Sequence, residues 1–174
     1  MKNKKRVALI IGTGTIGAYL SKLLLIKGYN VVVTTRSLKK KYSNYKKLNL
    51  EKKVNFIKLN VLSDFAINKT LKEINPVCIY YFAGISSITK SFKYPKETYE
   101  SNYLGAKKFL DILKNKKSSI KFFKANSAYI FNPNGNKISL KSKLIKPNSP
   151  YVFSQIKAYK LIKKYKKFGL NCYN

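Results

Sequence analysis

The chain has 174 residues with 45% hydrophobic content, enough for one domain with its own core. It carries 37 Lys and Arg against 6 Asp and Glu, a net charge of +31, and no His. That composition excludes a histidine-built catalytic or metal centre, and 2 cysteines with a few scattered acids make no structural zinc site.

Apolar runs and helical patterns alternate along the chain. Residues 7–11 form a short buried-strand run. Residues 17–27 carry Leu20, Leu23, Leu24 and Ile26 at helical spacing, and Gly28 ends them. Residues 31–35 are a second strand, and the Lys- and Tyr-rich stretch 38–53 reads as a loop or short helix. A third strand covers 54–60. Asp64 is placed to N-cap a helix to about Ile74. Pro76 precedes a fourth strand over 77–83, and Pro95 opens a longer helix to about Lys114. A fifth strand spans 120–125, a long loop 132–150, and a helix 151–167, closed by Gly169. "LNCYN" then starts like a sixth strand. This rhythm predicts an α/β fold, a Rossmann-type doubly wound parallel sheet, as one domain over 1–174 that stops at its sixth strand.

The charge has two readings. A basic excess is the footprint of a nucleic-acid binder. Yet only Arg6 and Arg36 are arginines, and Lys, Asn, Ile, Tyr and Phe, all with AT-rich codons, are abundant together. Nucleic-acid readers lean on Arg for bidentate contacts, so compositional drift is favoured over a specific nucleic-acid partner. Non-specific attraction to polyanions at low salt is expected. The basic, then apolar, start could pass for a signal peptide, but Gly12, Gly14 and Gly17 interrupt it. No run is long enough to span a membrane, so a soluble, cytoplasmic protein is expected. Cys78 and Cys172 read as reduced core or edge residues.

"VALIIGTGTIGAYL" places Gly-x-Gly-x-x-Gly between a strand and a helix. Gly12 suits the tight turn, Gly14 the approach of a pyrophosphate, and Gly17 close helix–sheet packing. The helix start offers amide donors and a positive dipole end. The plainer reading is a glycine-rich turn without a ligand. The second strand ends in "VVVTTRS", with Arg36 where NAD-specific sites carry an acid. That favours NADP, with NAD as second choice, although an exposed Arg in a basic protein is unremarkable.

Four stretches carry a family resemblance: "ALIIGTGTIGAYLSKLLLIKGYNV", "INPVCIYYFAGISSITKSFKYPKETYESNYLGAKKFLDIL", "IKFFKANSAYIF" and "KPNSPYVFSQIKAY". The chain resembles an extended short-chain dehydrogenase/reductase of the NAD-dependent epimerase/dehydratase group, most of all the GDP-mannose 4,6-dehydratases. The resemblance covers only the cofactor-binding half of such an enzyme. It implies a nucleotide-sugar substrate, GDP-mannose, and chemistry in which hydride leaves C4, water is lost across C5 and C6, and hydride returns. It also implies a homo-oligomer or pairing with a full-length relative.

Carried over by position, the resemblance makes Ser127 and Tyr151 catalytic. It assigns cofactor contacts to Gly12, Thr13, Gly14, Thr15, Ile16, Gly17, Arg36, Asn60, Val61, Phe82, Ala83, Gly84, Tyr151 and Gln155. It assigns substrate contacts to Ser86, Ser87 and Ser127, and matches Asn102 to a polar helix position. No metal is implied. The family's Glu falls on Tyr129, its Lys on Gln155, and a substrate-loop Gln on Ile85. The glycine loop is one residue shorter than the dehydratase pattern.

The losses bear on chemistry. A free tyrosine is only about 10⁻³ phenolate at pH 7. A fixed ammonium beside it favours the charged form. Gln155 can hydrogen-bond a ribose but brings no charge, and Lys157 and Lys160 stand at the wrong helical angle to replace it. The expected function is therefore a GDP-mannose 4,6-dehydratase-like enzyme with impaired or no turnover. A non-catalytic NAD(P)-binding module, another nucleotide-sugar epimerase or reductase, and a polyanion binder stay as alternatives. For "SPYVFSQIKAYK" the plain alternative is a helix start whose Tyr151 and Tyr159 pack on the sheet.

Overall fold

A computed structural model describes residues 6–38, 42–133, 137–139 and 141–174. The lysine cluster at 39–41 and parts of the 132–150 loop fall outside these residues. Six strands, β1 (Val7–Ile11), β2 (Asn30–Thr35), β3 (Asn55–Lys58), β4 (Cys78–Tyr81), β5 (Lys121–Lys124) and β6 (Cys172–Tyr173), form one parallel sheet in the order β3-β2-β1-β4-β5-β6. Strand order reverses between β1 and β4, the point at which open α/β sheets form a crevice at their carboxyl ends. The sixth strand expected from "LNCYN" is present, with Cys172 and Tyr173 in register with Phe122 and Phe123.

Among the described residues, seven α-helices accompany the sheet: α1 (Thr15–Ile26), α2 (Ser43–Lys47), α3 (Asp64–Ile74), α4 (Ile88–Lys93), α5 (Pro95–Tyr99), α6 (Gly105–Asn115) and α7 (Pro150–Lys167). The near-continuous apolar run of β1 feeds both faces, as a central parallel strand must. Ala8 and Ile10 pack with Val31, Val33, Ala18 and Tyr45 under α1 and α2. Leu9 and Ile11 pack with Ile79, Phe122, Phe109 and Leu110 beneath α3, α6 and α7. Tyr165 of α7 donates to Asp111 of α6, which also holds Lys107 at 2.6 Å, so the two helices are pinned together. Both cysteines are buried and free.

Three elements differ from the sequence reading. Ser63, not Asp64, caps α3: its Oγ accepts from the Ala66 amide at 3.2 Å. The helix expected over 95–114 is broken into α5, a π-helical stretch Glu100–Leu104 and α6. An extra residue in the ladder turns Asn102 inward, where it is bonded. Helix α4 is too short to show a period and was not foreseen; Ser87 caps it by accepting from Lys90. The described residues of the 132–150 segment are irregular, as expected, and are seated on α7. Phe131 and Leu144 form an antiparallel bridge, and Ile130, Leu144 and Ile145 pack with Tyr151, Val152, Ile156 and Tyr159 of α7.

Among the described residues, no helix is long and apolar enough to cross a membrane.

Gly105, at the start of α6, is a point of close approach. A Cβ there would lie 2.2 Å from Tyr81 Oη and 2.8 Å from Val61 Cγ2. Gly105→Ala is expected to destabilise the fold by about 1–3 kcal/mol through overpacking, although Ala is the better helix former. Urea unfolding of the two proteins measures it.

Candidate functional site

The residues assigned to a cofactor lie along one edge of the sheet. Gly12 leaves β1 with φ +111°, and a Cβ on it would sit 3.1 Å from the Ala83 amide nitrogen. Only glycine permits both the angle and the contact. The turn is held by the Gly12 amide donating to Thr34 and the Phe82 amide donating to Ile11. Gly14 then caps α1 without any side-chain partner, and a Cβ on it would meet nothing within 4 Å. Thr13 is half-buried, and Gly14, Thr15 and Ile16 are exposed. Gly17 is buried, with 3.2 Å from its would-be Cβ to the Gly12 carbonyl.

The remaining rim follows strand by strand. Arg36 is exposed directly after β2. Asn60 is exposed after β3, its Oδ1 accepting from the Leu62 amide, and Val61 is half-buried beside Gly105. Phe82 and Ala83 are half-buried after β4, and Gly84 is exposed. The free amides of α1, the open space over Gly14 and a nearby Arg suit a phosphate-bearing dinucleotide.

Beyond β5 the rim carries the catalytic candidates. Ser127 is half-buried, and its Oγ accepts from the Tyr129 amide at 3.2 Å. A cavity of about 600 Å³ joins Ser127 to Ile16 of α1, with Phe82, Phe123, Tyr159 and Asn174 among its walls. Tyr151 enters α7 just after the Ser149 cap and Pro150, and is 8% exposed. It does not line that cavity, and among the described residues no hydrogen bond joins it to Ser127. Tyr129, where the family pattern has an acid, is 68% exposed.

Asn102 ties the two sides together. It is buried, and its Nδ2 donates to the Ile85 carbonyl at 3.0 Å and to Ser154 Oγ at 3.1 Å. Ser154 Oγ donates in turn to the Tyr151 carbonyl at 2.7 Å. The loop of Ser86 and Ser87 is thereby roped to the helix of Tyr151. Ser86 is exposed, while the hydroxyl of Ser87 accepts the α4 cap bond.

One residue of this site escapes the sequence reading. Lys124 ends β5 in register with Tyr81 and is 2% exposed. Its Nζ donates to the Ala125 carbonyl at 2.5 Å and to Gln155 Oε1 at 3.4 Å, and lies 5.8 Å from the Tyr81 ring centroid. Among the described residues no carboxylate pairs with it. Burial lowers its pKa to about 8 and pushes the Tyr81 phenol far up. "KFFKA" reads as a strand with solvated ends; Tyr81 of β4 and Gln155 of α7 both stand against the Lys124 side chain.

The pKa drop from 10.5 to about 8 corresponds to roughly 3 kcal/mol against burying the charge. The folded chain sheds the Lys124 proton more easily than the unfolded one. This cost is complete below about pH 8 and fades as pH rises toward 10.5, so Lys124 alone makes stability climb over that window. Lys124→Met is expected to raise stability at pH 7 by about 1–2 kcal/mol after the lost hydrogen bonds are counted. Thermal unfolding of both proteins between pH 7 and 10 checks the sign.

The sequence pattern of the GDP-mannose 4,6 dehydratase family matches residues 9–174. GDP-mannose 4,6 dehydratase 2 of Caenorhabditis elegans is 25% identical over 174 residues, covering 94% of this chain and 46% of that protein. UDP-glucose 4-epimerase from Brucella ovis, solved with NAD, superposes with a TM-score of 0.82 at 22% identity, over 96% of this chain and 50% of that one. The dTDP-glucose 4,6-dehydratase of Streptomyces venezuelae, solved with NAD, gives 0.80 at 19% identity, over 95% and 53%. These structures share the fold, and the chain spans about half the length of the curated relatives it matches. By the match over residues 9–174, the chain belongs to the GDP-mannose 4,6 dehydratase family.

Proposed function

We propose that this chain is the dinucleotide-binding part of a nucleotide-sugar 4,6-dehydratase of the GDP-mannose type, that it takes NADP, and that its dehydration step is impaired. The observation that carries this reading is the start of α1: a helix N-terminus without a side-chain cap, open above Gly14, beside the cavity that reaches Ser127. The amides of Thr13 to Ile16 would hold the pyrophosphate, and Arg36 the 2′-phosphate. A relative and two fold neighbours named for nucleotide-sugar chemistry support the substrate class.

The cofactor, when bound, supplies the acceptor and later the donor of a hydride. On the protein side, Ser127, which lines the cavity, would hydrogen-bond the sugar 4-oxygen, and Tyr151 would take its proton once its phenol, 8% exposed, is turned toward Ser127. Removing the C5 proton needs a base at position 129, and Tyr129 is a phenol, 68% exposed. The residue set thus favours oxidation and reduction at C4 over loss of water. That observation gives a second reading, a C4 epimerase or reductase of the same superfamily. The substrate pocket is completed by the part of the family that lies outside these residues, or by a second chain.

Gly14→Val is expected to leave the protein folded, since a Cβ there meets nothing within 4 Å, with only the modest loss of a poorer N-cap, and to abolish dinucleotide binding. NADPH fluorescence titration with inorganic polyphosphate as competitor reads the binding apart from the +31 charge. Binding erased by polyphosphate, or untouched by Gly14→Val, overturns the reading. Arg36→Ala is expected to weaken NADPH about tenfold while leaving NADH nearly unchanged; titrating both cofactors measures the ratio. The unmodified chain is expected to give little or no product from GDP-mannose, and ready dehydration would overturn the impairment.

A further inference from the structure

One face of the sheet is closed and the other only in part. Phe122 of β5 and Cys172 of β6 belong to the core beneath α6 and α7. The next residues, Phe123 and Tyr173, point to the opposite face, as successive strand residues must. Over β1 and β2 that face is closed by α1 and α2, and Ile10 and Val33 are fully buried there. Along the same register row the side chains open strand by strand. Tyr80 of β4 and Phe123 are half-buried, and Tyr173 is 45% exposed. Tyr80, Phe82 and Phe123 pack on one another as an aromatic floor, with ring centroids 6.1 to 6.4 Å apart. Phe123 and Tyr173 join no core cluster among the described residues.

Helix α1 walls this floor with an apolar stripe. Ile16, Leu20 and Leu23 stand at i, i+4 and i+7, and the first two line the cavity that Phe82 and Phe123 also line. Ile16 and Leu23 are 66% and 48% exposed, which leaves the stripe without a partner. Strands lie about 4.8 Å apart, so β4 to β6 spans roughly 10 Å, the width of one α-helix. The groove between α1 and the β6 edge is one helix wide.

Its margin is basic. Lys27 ends the α1 stripe one turn beyond Leu23, Lys121 shares the strand face of Phe123, and Lys166 Nζ lies 5.5 Å from the Tyr173 ring centroid; all three lysines are exposed. All 6 acidic residues of the chain fall between positions 51 and 111, so α1, β5, β6 and α7 come from stretches that have none. A second copy would set cations against cations, at +31 for each chain. We propose that this groove seats an amphipathic helix of another polypeptide, apolar on its inward side and acidic along its margins. The apolar side covers Phe123, Tyr173 and the α1 stripe, and the carboxylates meet Lys27, Lys121 and Lys166. The proposal does not depend on the dinucleotide reading, because the floor runs down the sheet to the level of Ile10, away from the glycine turn.

The test uses a fluorescein-labelled synthetic helix of about 14 residues, roughly four turns, with Leu on one face and Glu on the others. One control peptide has the same composition in scrambled order, and a second has Lys in place of Glu. Fluorescence anisotropy at physiological salt reads the binding. The ordered acidic peptide is expected to bind, and both controls to bind at least about tenfold more weakly. Leu23→Glu is expected to weaken the ordered peptide about tenfold. Phe65→Glu, an exposed site on α3 over the other face, is expected to leave it unchanged. If Leu23→Glu fails to fold, Tyr173→Glu at the exposed sheet edge takes its place with the same expectation.

No binding overturns the proposal. Equal binding of the scrambled peptide means attraction by charge alone and overturns it, as does an equal loss in Phe65→Glu. Sedimentation that shows a dimer of this chain, broken by Leu23→Glu, gives the groove to a second copy and overturns it. Flotation with phosphatidylserine vesicles that is lost in Leu23→Glu gives the groove to a membrane surface and overturns it too.

Discussion

The contact on which the site depends is backbone against backbone. The turn at Gly12 lies against the Phe82–Ala83 segment, at the place where the sheet reverses its order. Two hydrogen bonds, Gly12 to Thr34 and Phe82 to Ile11, extend the strand pairing past the ends of β1 and β4. They leave α1 no choice of starting point. Its first amides therefore face the same edge on which Arg36, Asn60 and Ser127 emerge. In a parallel sheet every strand delivers its following loop to that edge, so five loops converge there without any of them being long.

A second constraint ties the edge to the helices above it. The π-helical stretch puts Asn102 between the Ile85 loop and Ser154. A regular helix would present a different residue at this depth. Single-turn π segments are rare and cluster at functional positions. Here the segment joins a surface loop to the backbone of Tyr151 through three hydrogen bonds, and all the side-chain polar atoms it encloses are satisfied among the described residues.

Much of this was legible in the sequence. The six strands, the glycine turn and the helix of Tyr151 follow from local patterns: β-branched runs, Gly-x-Gly-x-x-Gly, and Ser-Pro ahead of an apolar helix. What was not legible depends on tertiary contacts. Helix α4 has six residues, less than two turns, and no period can be read from it. The π stretch is chosen by the partners of Asn102, which lie 17 and 52 residues away in the chain. Lys124 looks solvated because lysine at a strand end usually is; the helix that supplies its partner Gln155 begins 26 residues later. The lysines of α7 that follow Gln155, Lys157 and Lys160, are both exposed.

Helix α7 belongs to two cores at once. Its first half packs with Ile130, Leu144 and Ile145 of the connecting loop, and its second half, through Leu161, Ile162 and Tyr165, with the main sheet. The two halves are therefore held by clusters of unequal size. Amide exchange need not run evenly along this one rod. The end bearing Tyr151 can open with the small cluster while the end bearing Tyr165 waits for the whole domain. The order of the Tyr151 end therefore depends on how firmly Ile130, Leu144 and Ile145 are seated against it, and not on the main sheet alone.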